Sequence, residues 1–358
     1  MIITKTPFRM SFFGGGTDFS EFFKEYGGSV LSTTFDKYCY VTVRHLPRFF
    51  EYTSEICYSQ IERVNFISEV QHPMIREAMR ELDIHEIRLT YEADLPKHSG
   101  LGTSSSFAVG MLNAFHLIKG QYRDKKALAD EAIYLERGLC KEVGGLQDQI
   151  ASSFGGLIKI TFDSTGYRVD PVIVYPIRKR KLNSNLMLFF TGFARFSFDI
   201  QVSTRKCLKD KTQDLLEMKS LTEEAEKILV NPERDLNDFG RLLDYSWKLK
   251  RSLNKDISTE KIDEIYEKAK KAGALGGKVL GAGGGGFILF YAELDKQAAV
   301  RYALNDLLYV PFRFEEQGAS VIYYVPETYV PQGEKRVIED DVWYDDYSNK
   351  WEKAEIHH

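Results

Sequence analysis

The sequence predicts a mixed α/β protein, and three observations carry that prediction. Apolar and polar residues alternate over residues 87–93, which indicates a half-buried strand. Beyond a loop of small residues, apolar residues recur at helical spacing over 107–118, which indicates a helix. At 358 residues the chain is long enough for two domains. Strands and helices therefore follow each other in a chain of two-domain length.

We place the boundary between the two predicted domains near the turn Asp163-Ser164-Thr165-Gly166. The motifs typical of phosphate sites and helix starts largely end there. The predicted units are an N-terminal domain at 1–164, a C-terminal domain at 165–340 and a polar tail at 341–358. The sequence contains no internal repeat and no low-complexity segment.

The composition is that of an ordinary globular protein and excludes several classes of function. Hydrophobic residues make up 43% of the chain and charged residues 28%, and the formal net charge is -4. The chain therefore lacks the basic footprint of a nucleic-acid-binding protein. No apolar run approaches the roughly 20 residues that span a bilayer, and the N-terminus lacks the apolar core of a signal peptide. Scattered cysteines argue against zinc sites and disulfides, and favour the cytoplasm.

The N-terminal elements follow from periodicity and from chain breakers. Residues 2–6 have the pattern of a short strand stopped by Pro7, and residues 19–26 that of a helix. The β-branched and aromatic residues over 30–43 predict one or two strands, with Asp36-Lys37 as a turn. Further predicted elements of this half are a helix at 74–82, a helix capped by Asp124, a helix at 147–154 and a strand at 157–162.

The stretch Pro96-Lys97-His98-Ser99-Gly100-Leu101-Gly102-Thr103-Ser104-Ser105-Ser106 lies between the predicted strand at 87–93 and the helix at 107–118. A loop of small residues can curl its backbone N–H groups around an anion, and a helix N-terminus adds favourable potential. Four successive hydroxyls add donors and oxygen ligands for magnesium. The alternative is that Ser and Thr only cap the helix. Because one hydroxyl is enough for a cap, four favour a nucleotide phosphate site.

A second glycine stretch, Phe13-Gly14-Gly15-Gly16-Thr17-Asp18, lies near the N-terminus. Successive glycines let a ligand approach the main chain closely. Asp18 has two interpretations: it caps the next helix, with Glu21 completing a capping box, or its carboxylate accepts hydrogen bonds from a polyol. Arg9 stands in an apolar, aromatic neighbourhood and so needs an anionic partner. That partner is either a structural carboxylate or a phosphate of the substrate or nucleotide.

Two further carboxylates are candidates, each with an ordinary structural alternative. Glu136 follows Leu135 at the edge of the apolar face of the helix that Asp124 caps, where surface and ion-paired residues are common. Asp148 lies in the early turns of the helix at 147–154, where the helix dipole favours an ionised carboxylate. Asp is also a common helix starter, so both interpretations stay open at this point.

The C-terminal half is predicted to be rich in helices and to contain a third glycine stretch. The predicted elements are helices at about 197–208, 211–230, 236–253, 258–272 and 298–307 and strands at 186–190 and 320–325. The glycines from Gly281 to Gly286 form a formal G-x-G-x-x-G. A strand, residues 287–290, follows them where a dinucleotide site requires a helix, so we reject that site. Such a loop could instead brace the phosphate loop.

Together, the three glycine stretches resemble the motifs of the small-molecule kinase superfamily of galactokinase, homoserine kinase, mevalonate kinase and phosphomevalonate kinase. The first motif, P-x-R-x-x-x-x-G-x-x-x-D, is matched by Pro7, Arg9, Gly14 and Asp18. The second, P-x-x-x-G-L-G-S-S, is matched by residues 96–104, with Thr103 in place of the first Ser. Residues 278–290 match the third, so the resemblance covers nearly the whole chain.

This resemblance implies a fold, cofactors and roles for individual residues. The N-terminal half should resemble the second domain of ribosomal protein S5 and the C-terminal half should be ferredoxin-like, with ATP and Mg²⁺ bound between them. Ser104 and Glu136 match the magnesium ligands, Asp148 the catalytic Asp, and Arg9 the cation at the reacting centre. The residues expected at the ATP phosphates are Pro96, Ser99, Gly100, Leu101, Gly102, Thr103, Ser104, Ser105 and Ser106. Those expected at the sugar are Gly14, Gly15, Gly16, Thr17, Asp18 and Asp148.

Within the superfamily, the stretch 13–18 and residues 31–38 are most similar to the branch of heptose 7-phosphate kinases. Galactokinases have an acidic residue and His at the positions of Gly15 and Gly16, which argues against galactose. The expected reaction is phosphorylation of D-glycero-D-manno-heptose 7-phosphate at its anomeric hydroxyl, giving the 1,7-bisphosphate.

The partners implied are therefore ATP and a small sugar phosphate, with no nucleic acid and no membrane, and a homodimer stays open. A second phosphate on the sugar needs cations, for which the candidates are Lys37, Arg44, His98, Arg195 and the run Arg178-Lys179-Arg180-Lys181. Two alternatives remain: a sugar 1-kinase acting on an unphosphorylated sugar such as L-fucose, and a non-catalytic sensor that binds sugar and ATP.

Overall fold

The computed structural model of the protein describes residues 1–47, 49–96, 99–192 and 197–325. The predicted polar tail at 341–358 and the candidate cations His98 and Arg195 lie outside these ranges. Among the helices within them, none is long and apolar enough to cross a membrane. All four cysteines are free thiols.

Within the described ranges, the strands form two β-sheets. The strands are β1 (Ile2–Phe13), β2 (Gly28–His45), β3 (Ser54–Cys57), β4 (Ile61–Val64), β5 (Ile87–Ala93), β6 (Leu157–Asp163), β7 (Gly166–Pro171), β8 (Leu186–Phe190), β9 (Gly276–Val279), β10 (Phe287–Tyr291), β11 (Leu308–Val310), β12 (Phe314–Glu315) and β13 (Ser320–Tyr324). In the described part of the chain, the larger sheet has the order β13-β1-β2-β5-β3-β4, and β12 and β6 also pair with β2, and β7 with β6. The smaller sheet has the order β11-β8-β10-β9.

Helices pack on both sheets and complete the mixed α/β fold that the sequence predicts. The α-helices are α1 (Ser20–Tyr26), α2 (Pro73–Glu81), α3 (Thr103–Ile118), α4 (Lys125–Ile133), α5 (Gln147–Phe154), α6 (Pro176–Asn185), α7 (Ser197–Cys207), α8 (Thr212–Val230), α9 (Asn237–Leu253), α10 (Glu260–Lys271) and α11 (Leu294–Ala303). A π-helical segment (Tyr134–Leu139) continues α4, and short 3₁₀ turns lie at Ile67–Glu69 and Lys255–Ile257. Asp124 caps α4 as predicted, accepting from Ala127 N.

Strand β1 does not stop at Pro7 but continues to Phe13, so the prediction of a short first strand was wrong. Proline removes one donor from the ladder, and the register of β1 against β2 shifts at this point. Pro7 pairs with Tyr38 whereas Phe8 pairs with Phe35. Asp36 and Lys37 are thus extra residues within one continuous strand rather than a turn, as in a β-bulge. The long β1 carries Arg9 and the first glycine stretch into the middle of the fold.

The largest hydrophobic cluster of the described residues spans both sheets, because it contains Phe8 and Phe35 of the larger sheet and Leu289 of the smaller one. A further cluster, with Trp247 and Phe290, packs against the smaller sheet. The strands β12 and β13 pair with β2 and β1, so the chain returns to the larger sheet after building the smaller one. The exact division at residue 164 stays a prediction.

The packing brings together segments that are far apart in sequence. Helix α3 lies on β1 and β2 and also contacts α5. Arg9 N donates to Leu101 O at 3.2 Å, which ties β1 to the loop before α3. The candidate site lies where four segments meet. They are the middle of β1, the start of α3, the start of α5 and the glycine loop between β9 and β10.

Candidate active site

Arg9 and Asp148 form a bidentate ion pair at the junction of β1 and α5. Arg9 Nε donates to Asp148 Oδ1 and Arg9 Nη2 to Asp148 Oδ2, each at 2.7 Å. The Arg9 side chain is 4% exposed and the Asp148 side chain 22%, so mainly the carboxylate reaches solvent. Arg9 Nη1 donates to Gly100 O at 2.8 Å. The partner of Arg9 is therefore a carboxylate of the protein, and two of its five N–H donors have no partner among the described residues.

The loop before α3 is braced by the third glycine stretch, as the sequence suggested. Gly100 has φ of 77° and Gly102 φ of 75°, a left-handed backbone that favours glycine. A Cβ at Gly100 would lie 2.4 Å from Leu280 O, and one at Gly281 would lie 2.5 Å from Gly100 O. The two loops thus pack backbone against backbone. The strand predicted after these glycines is confirmed, because β9 and β10 pair as antiparallel strands on either side of them.

The four hydroxyls at the start of α3 have different surroundings. Helix α3 begins at Thr103 after Gly102, and no side chain caps it, so the capping alternative was wrong. Ser105 is buried and donates to Glu136 Oε2 at 2.7 Å. Ser106 is also buried, with its hydroxyl 3.0 Å from Pro7 O and 2.8 Å from Ser152 Oγ. The hydroxyls with access to a ligand are therefore those of the half-buried Thr103 and the exposed Ser104.

The remaining residues predicted at the ATP phosphates also divide between surface and interior. Pro96 is exposed, whereas Ser99 and Leu101 are buried. Leu101 packs into the larger core. Ser99 O accepts from Phe287 N at 3.3 Å, while the Ser99 hydroxyl has no partner within the described ranges. Backbone groups rather than these side chains thus shape the loop.

Glu136 is buried, with 1% of its surface exposed, and lies in the π-helical segment. Such wide turns occur frequently at functional sites. Its Oε2 accepts from Ser105 Oγ at 2.7 Å and from Gln149 Nε2, and its Oε1 accepts from Ser104 Oγ at 2.9 Å. The alternative of a surface carboxylate is therefore wrong. Protein donors hold one oxygen of Glu136 and direct the other at the exposed hydroxyl of Ser104.

The Ser104–Glu136 pair fits a hard cation. Its two oxygens lie 2.9 Å apart, which suits adjacent ligands of an octahedral Mg²⁺ ion with ligand distances of about 2.0–2.1 Å. Within the described ranges, no group of three or more His, Cys, Asp or Glu residues could hold a metal ion. Mg²⁺ usually binds through one or two protein ligands and completes its shell with water and phosphate. Two oxygens beside a phosphate loop would thus be sufficient.

Asp18 does not cap helix α1, so the capping-box interpretation was wrong. The helix begins at Ser20, its N-cap residue is Phe19, and no side chain accepts a capping hydrogen bond. Glu21 instead pairs with Arg205 at the surface. The carboxylate of Asp18 is therefore available for another task.

Asp18 ties the first glycine stretch to the start of α5. It is 1% exposed and accepts from Gly16 N at 2.9 Å, Gln147 N at 3.2 Å and Gln147 Nε2 at 3.0 Å. Burial raises the pKa of Asp18, and the Asp148 carboxylate adds to this shift, while the hydrogen bonds from Gly16 and Gln147 oppose it. A carboxylate in this state gains from further donors, such as ligand hydroxyls, that stabilise its ionised form.

The other residues predicted at the sugar divide into two groups. Thr17 Oγ1 lies 2.8 Å from Gly14 O and 3.0 Å from Ser29 O, and a Cβ at Gly14 would lie 1.8 Å from Ser29 O. Gly14 and Thr17 thus maintain the loop itself. Gly15 and Gly16 line the cleft, together with Arg9, Asp18 and Asp148.

The lining of the cleft contains polar atoms without a partner among the described residues. These buried atoms are Ser11 Oγ, Arg137 Nε, Gln147 Oε1 and Gln201 Oε1. Unpaired buried polar atoms are uncommon in folded proteins. When several converge on one cleft with a buried carboxylate, they suit a ligand rich in hydroxyl groups.

Several residues of this cleft have no site role in the prediction from sequence, above all Lys250 and also Lys278, which was noted only as the start of the third motif. Lys250 follows Trp247 and precedes Leu253 on the apolar face of α9, where a lysine is unexpected; that was the available signal. Of the cations proposed for a substrate phosphate, none of the described ones lines the cleft. Arg178, for example, donates to Ile228 O at 2.6 Å and Leu229 O at 3.0 Å, and so supports the end of α8.

Two family models match the chain. The GHMP kinases N terminal domain matches residues 65–156, and the GHMP kinases C terminal domain matches residues 221–310. The first range contains the predicted phosphate loop, Glu136 and Asp148, and the second contains Lys250 and the third glycine stretch.

Individual relatives are similar over most of the chain. A D-glycero-alpha-D-manno-heptose 7-phosphate kinase of Campylobacter jejuni is 29% identical over 346 residues, which are 89% of this chain and 98% of that protein. A crystal structure of a D-glycero-D-manno-heptose 1-phosphate kinase from Bacteroides thetaiotaomicron has a TM-score of 0.73 at 25% identity and covers 91% of this chain and 100% of its own. A bifunctional fucokinase/GDP-fucose pyrophosphorylase of Arabidopsis thaliana is 31% identical over 224 residues, 60% of this chain and 21% of that protein.

Proposed function

We propose a specific reaction for this chain, which belongs to the GHMP kinase family and is a sugar kinase. The reaction is transfer of the γ-phosphoryl group of ATP to the anomeric hydroxyl of D-glycero-D-manno-heptose 7-phosphate, giving ADP and the 1,7-bisphosphate. The observation that carries it is the position of the Arg9–Asp148 ion pair, which links the glycine phosphate loop to the cleft that holds Asp18. The choice of a heptose is supported by the two relatives that carry that name.

The donor half of the proposed site is the loop at 99–102 with the start of α3. Backbone N–H groups of the loop and the helix N-terminus would bind the phosphates of ATP, with the hydroxyls of Thr103 and Ser104 as further donors. Ser104 and Glu136 would hold Mg²⁺, which when bound neutralises phosphate charge. The buried contacts of Ser105 with Glu136 support this role by fixing the carboxylate.

The acceptor half is the cleft beside Asp18. Asp18, the backbone of Gly15 and Gly16, and the unpaired polar atoms of the lining would bind the sugar hydroxyls. Each Asp148 oxygen already accepts one hydrogen bond from Arg9 and can accept another. Asp148 would therefore orient the anomeric hydroxyl and is placed to take its proton. The two unused donors of Arg9 would stabilise charge on the phosphoryl group.

The acceptor is tested by phosphorus NMR on reactions that contain ATP, Mg²⁺ and one sugar. With heptose 7-phosphate we expect an anomeric phosphate signal and loss of the γ-phosphate of ATP. Removal of the 7-phosphate is expected to raise KM at least tenfold or to abolish turnover, because a charged group would lose its contacts. Equal use of unphosphorylated heptose would contradict this proposal. Turnover of heptose 1-phosphate would show that a hydroxyl other than the anomeric one is phosphorylated.

A sugar 1-kinase acting on L-fucose is the second candidate, since the fucokinase relative is 31% identical over its matched part. L-Fucose therefore belongs in the same NMR panel. A non-catalytic sensor on this fold is disfavoured by the joint presence of two contacting pairs, Arg9 with Asp148 and Ser104 with Glu136. Binding of ATP and sugar without any turnover would support the sensor.

Glu136→Gln is expected to raise the Mg²⁺ concentration needed for half-maximal activity by at least about tenfold, since even supporting groups at metal sites contribute that much. The amide would replace an anionic ligand and would present a donor to Ser104 or Ser105. Mg²⁺ titration of activity and calorimetric titration of Mg²⁺ in the presence of ADP would measure the effect. The matched control is Glu142→Gln. Glu142 is a nearby carboxylate whose Oε2 lies 3.8 Å from Arg137 Nη1. An unchanged Mg²⁺ requirement for the Glu136 variant would contradict the assignment.

A further inference from the structure

Two lysines of the cleft are buried and belong to different parts of the C-terminal half. Lys250 lies on α9 and is 8% exposed, and Lys278 lies on β9 and is 3% exposed. Lysine is among the residues least often found inside a protein unless it is paired with a counter-charge. Both line the cleft together with Arg9 and Asp148.

In the part of the chain that the structure describes, neither lysine has such a counter-charge. Within the described residues, no carboxylate oxygen lies within 4 Å of either ammonium group. Lys250 Nζ donates to Gly281 O, and Lys278 Nζ donates to Phe12 O at 2.8 Å. An ammonium group has three donors, so two N–H groups on each lysine have no partner among the described residues.

The charges around the two lysines add up to an excess of positive charge. Arg9 is neutralised by Asp148, and the remaining carboxylate of the cleft, Asp18, has a raised pKa because it is buried. An unpaired buried ammonium group is strongly unfavourable in a closed interior. Its presence on a ligand-binding cleft therefore indicates that the missing partner is an anion brought by the ligand.

The ionisation behaviour of the lysines agrees with this geometry. Burial lowers the pKa of Lys250 to about 8, with a further contribution from Arg9, against an opposing effect of Asp18 and Asp148. Burial also lowers the pKa of Lys278 well below its usual value, and Lys250 and Arg9 lower it further. A bound anion would oppose these effects and favour the charged form of both groups.

We propose that Lys250 and Lys278 form a binding site for the oxygens of a phosphate group in the cleft. This inference rests on the proposed function, because it names how that kinase would hold a phosphate. The geometry favours the phosphoryl group in transfer as the source. Lys250 bonds to Gly281, Gly281 packs against Gly100, and Gly100 O accepts from Arg9, so Lys250 and Arg9 flank the same loop contact. The second phosphate of the acceptor has the same chemistry and is distinguished by experiment.

The deciding variant is Lys250→Met, which keeps the length of the side chain and removes its charge. We expect it to weaken binding of inorganic phosphate at least tenfold in calorimetric titrations of the full chain. Lys248→Met is the matched control, because Lys248 lies on the same helix, has a 65% exposed side chain and pairs with Asp244. Unchanged phosphate affinity and unchanged kcat and KM in Lys250→Met would overturn the proposal.

Steady-state kinetics with each sugar that the wild type accepts separates the two sources. If the site binds the phosphoryl group in transfer, kcat falls at least tenfold with every acceptor. If it binds the acceptor's own phosphate, KM rises for the sugar phosphate and not for an unphosphorylated sugar. Because phosphate binding is measured without any sugar, failure of the heptose assignment leaves this test intact.

If Lys250→Met does not fold, the variant to use is Lys250→Gln. Its amide keeps a donor for Gly281 O.

The pH dependence of phosphate binding is an independent test of the proposal. The charged groups that face Lys250 are Arg9, Lys278, Asp18 and Asp148. As pH rises through about 8, unliganded Lys250 loses its proton and its charge, whereas phosphate stays at least doubly charged. Phosphate affinity of the wild type should fall above about pH 8, and this slope should be reduced in Lys250→Met. Identical slopes in the two proteins would count against Lys250.

Discussion

Asp148→Asn is expected to lower kcat by about 10²- to 10⁴-fold, the loss typical of a positioned acid–base group. Asn has nearly the same shape, so α5 and the cleft should persist. The amide, however, would present an NH₂ group to the Arg9 guanidinium, where both carboxylate oxygens now accept at 2.7 Å. It would also lose the capacity to take the proton of the sugar hydroxyl. Single-turnover and steady-state measurements of ADP release at saturating ATP would determine kcat and KM separately.

The control for this variant is Asp170→Asn. Asp170 also pairs with an arginine, Arg168 at 2.9 Å, but at the surface, with 43% of its side chain exposed. Its replacement should leave kcat unchanged, because exposed ion pairs contribute little. A variant at Asp148 with near-wild-type kcat would show that the carboxylate neither orients nor deprotonates the acceptor. A loss confined to the sugar KM would assign it to binding alone.

Local periodicity predicted the elements around the site but not how they are joined. The strand at 87–93 and the long apolar helix that begins after Gly102 appear as β5 and α3, because their patterns depend on neighbouring residues only. The continuation of β1 through Pro7 could not be predicted in this way. It depends on a register shift against β2, where two extra residues compensate for the proline. The return of β12 and β13 to the first sheet is likewise a long-range pairing without a local signal.

The candidate site shows the same limit at the level of side chains. Sequence alone indicated that Arg9 needs an anion, and its partner, Asp148, lies 139 positions further along the chain. The resemblance to known kinases placed the two residues in one site, but not in one ion pair. Lys250 was overlooked because its helix was interpreted through its apolar face. A lysine between Trp247 and Leu253 interrupts that face, which was the available signal.

Arg9→Met is expected to lower kcat by about 10³- to 10⁵-fold, the range contributed by an arginine at a phosphoryl-transfer centre. The substitution removes the charge beside the transferred group and releases both Asp148 and Gly100 O. It should also lower the free energy of unfolding by about 3 kcal/mol, the lower part of the range for breaking a buried pair, because the Asp148 side chain keeps 22% exposure to water. Turnover assays and urea unfolding would measure the two effects.

The double variant Arg9→Met, Asp148→Asn separates the ion pair from the individual roles. If the pair acts as one unit, the double variant should lose little more activity than Arg9→Met alone, since groups that act together are strongly non-additive. It should also recover part of the lost stability, because no unpaired charge remains. Arg9→Lys keeps the charge but cannot span both carboxylate oxygens and Gly100 O. Full activity of Arg9→Lys would show that charge alone is required. A loss close to that of Arg9→Met would instead assign the effect to the hydrogen bonds through which Arg9 connects β1, α5 and the predicted phosphate loop.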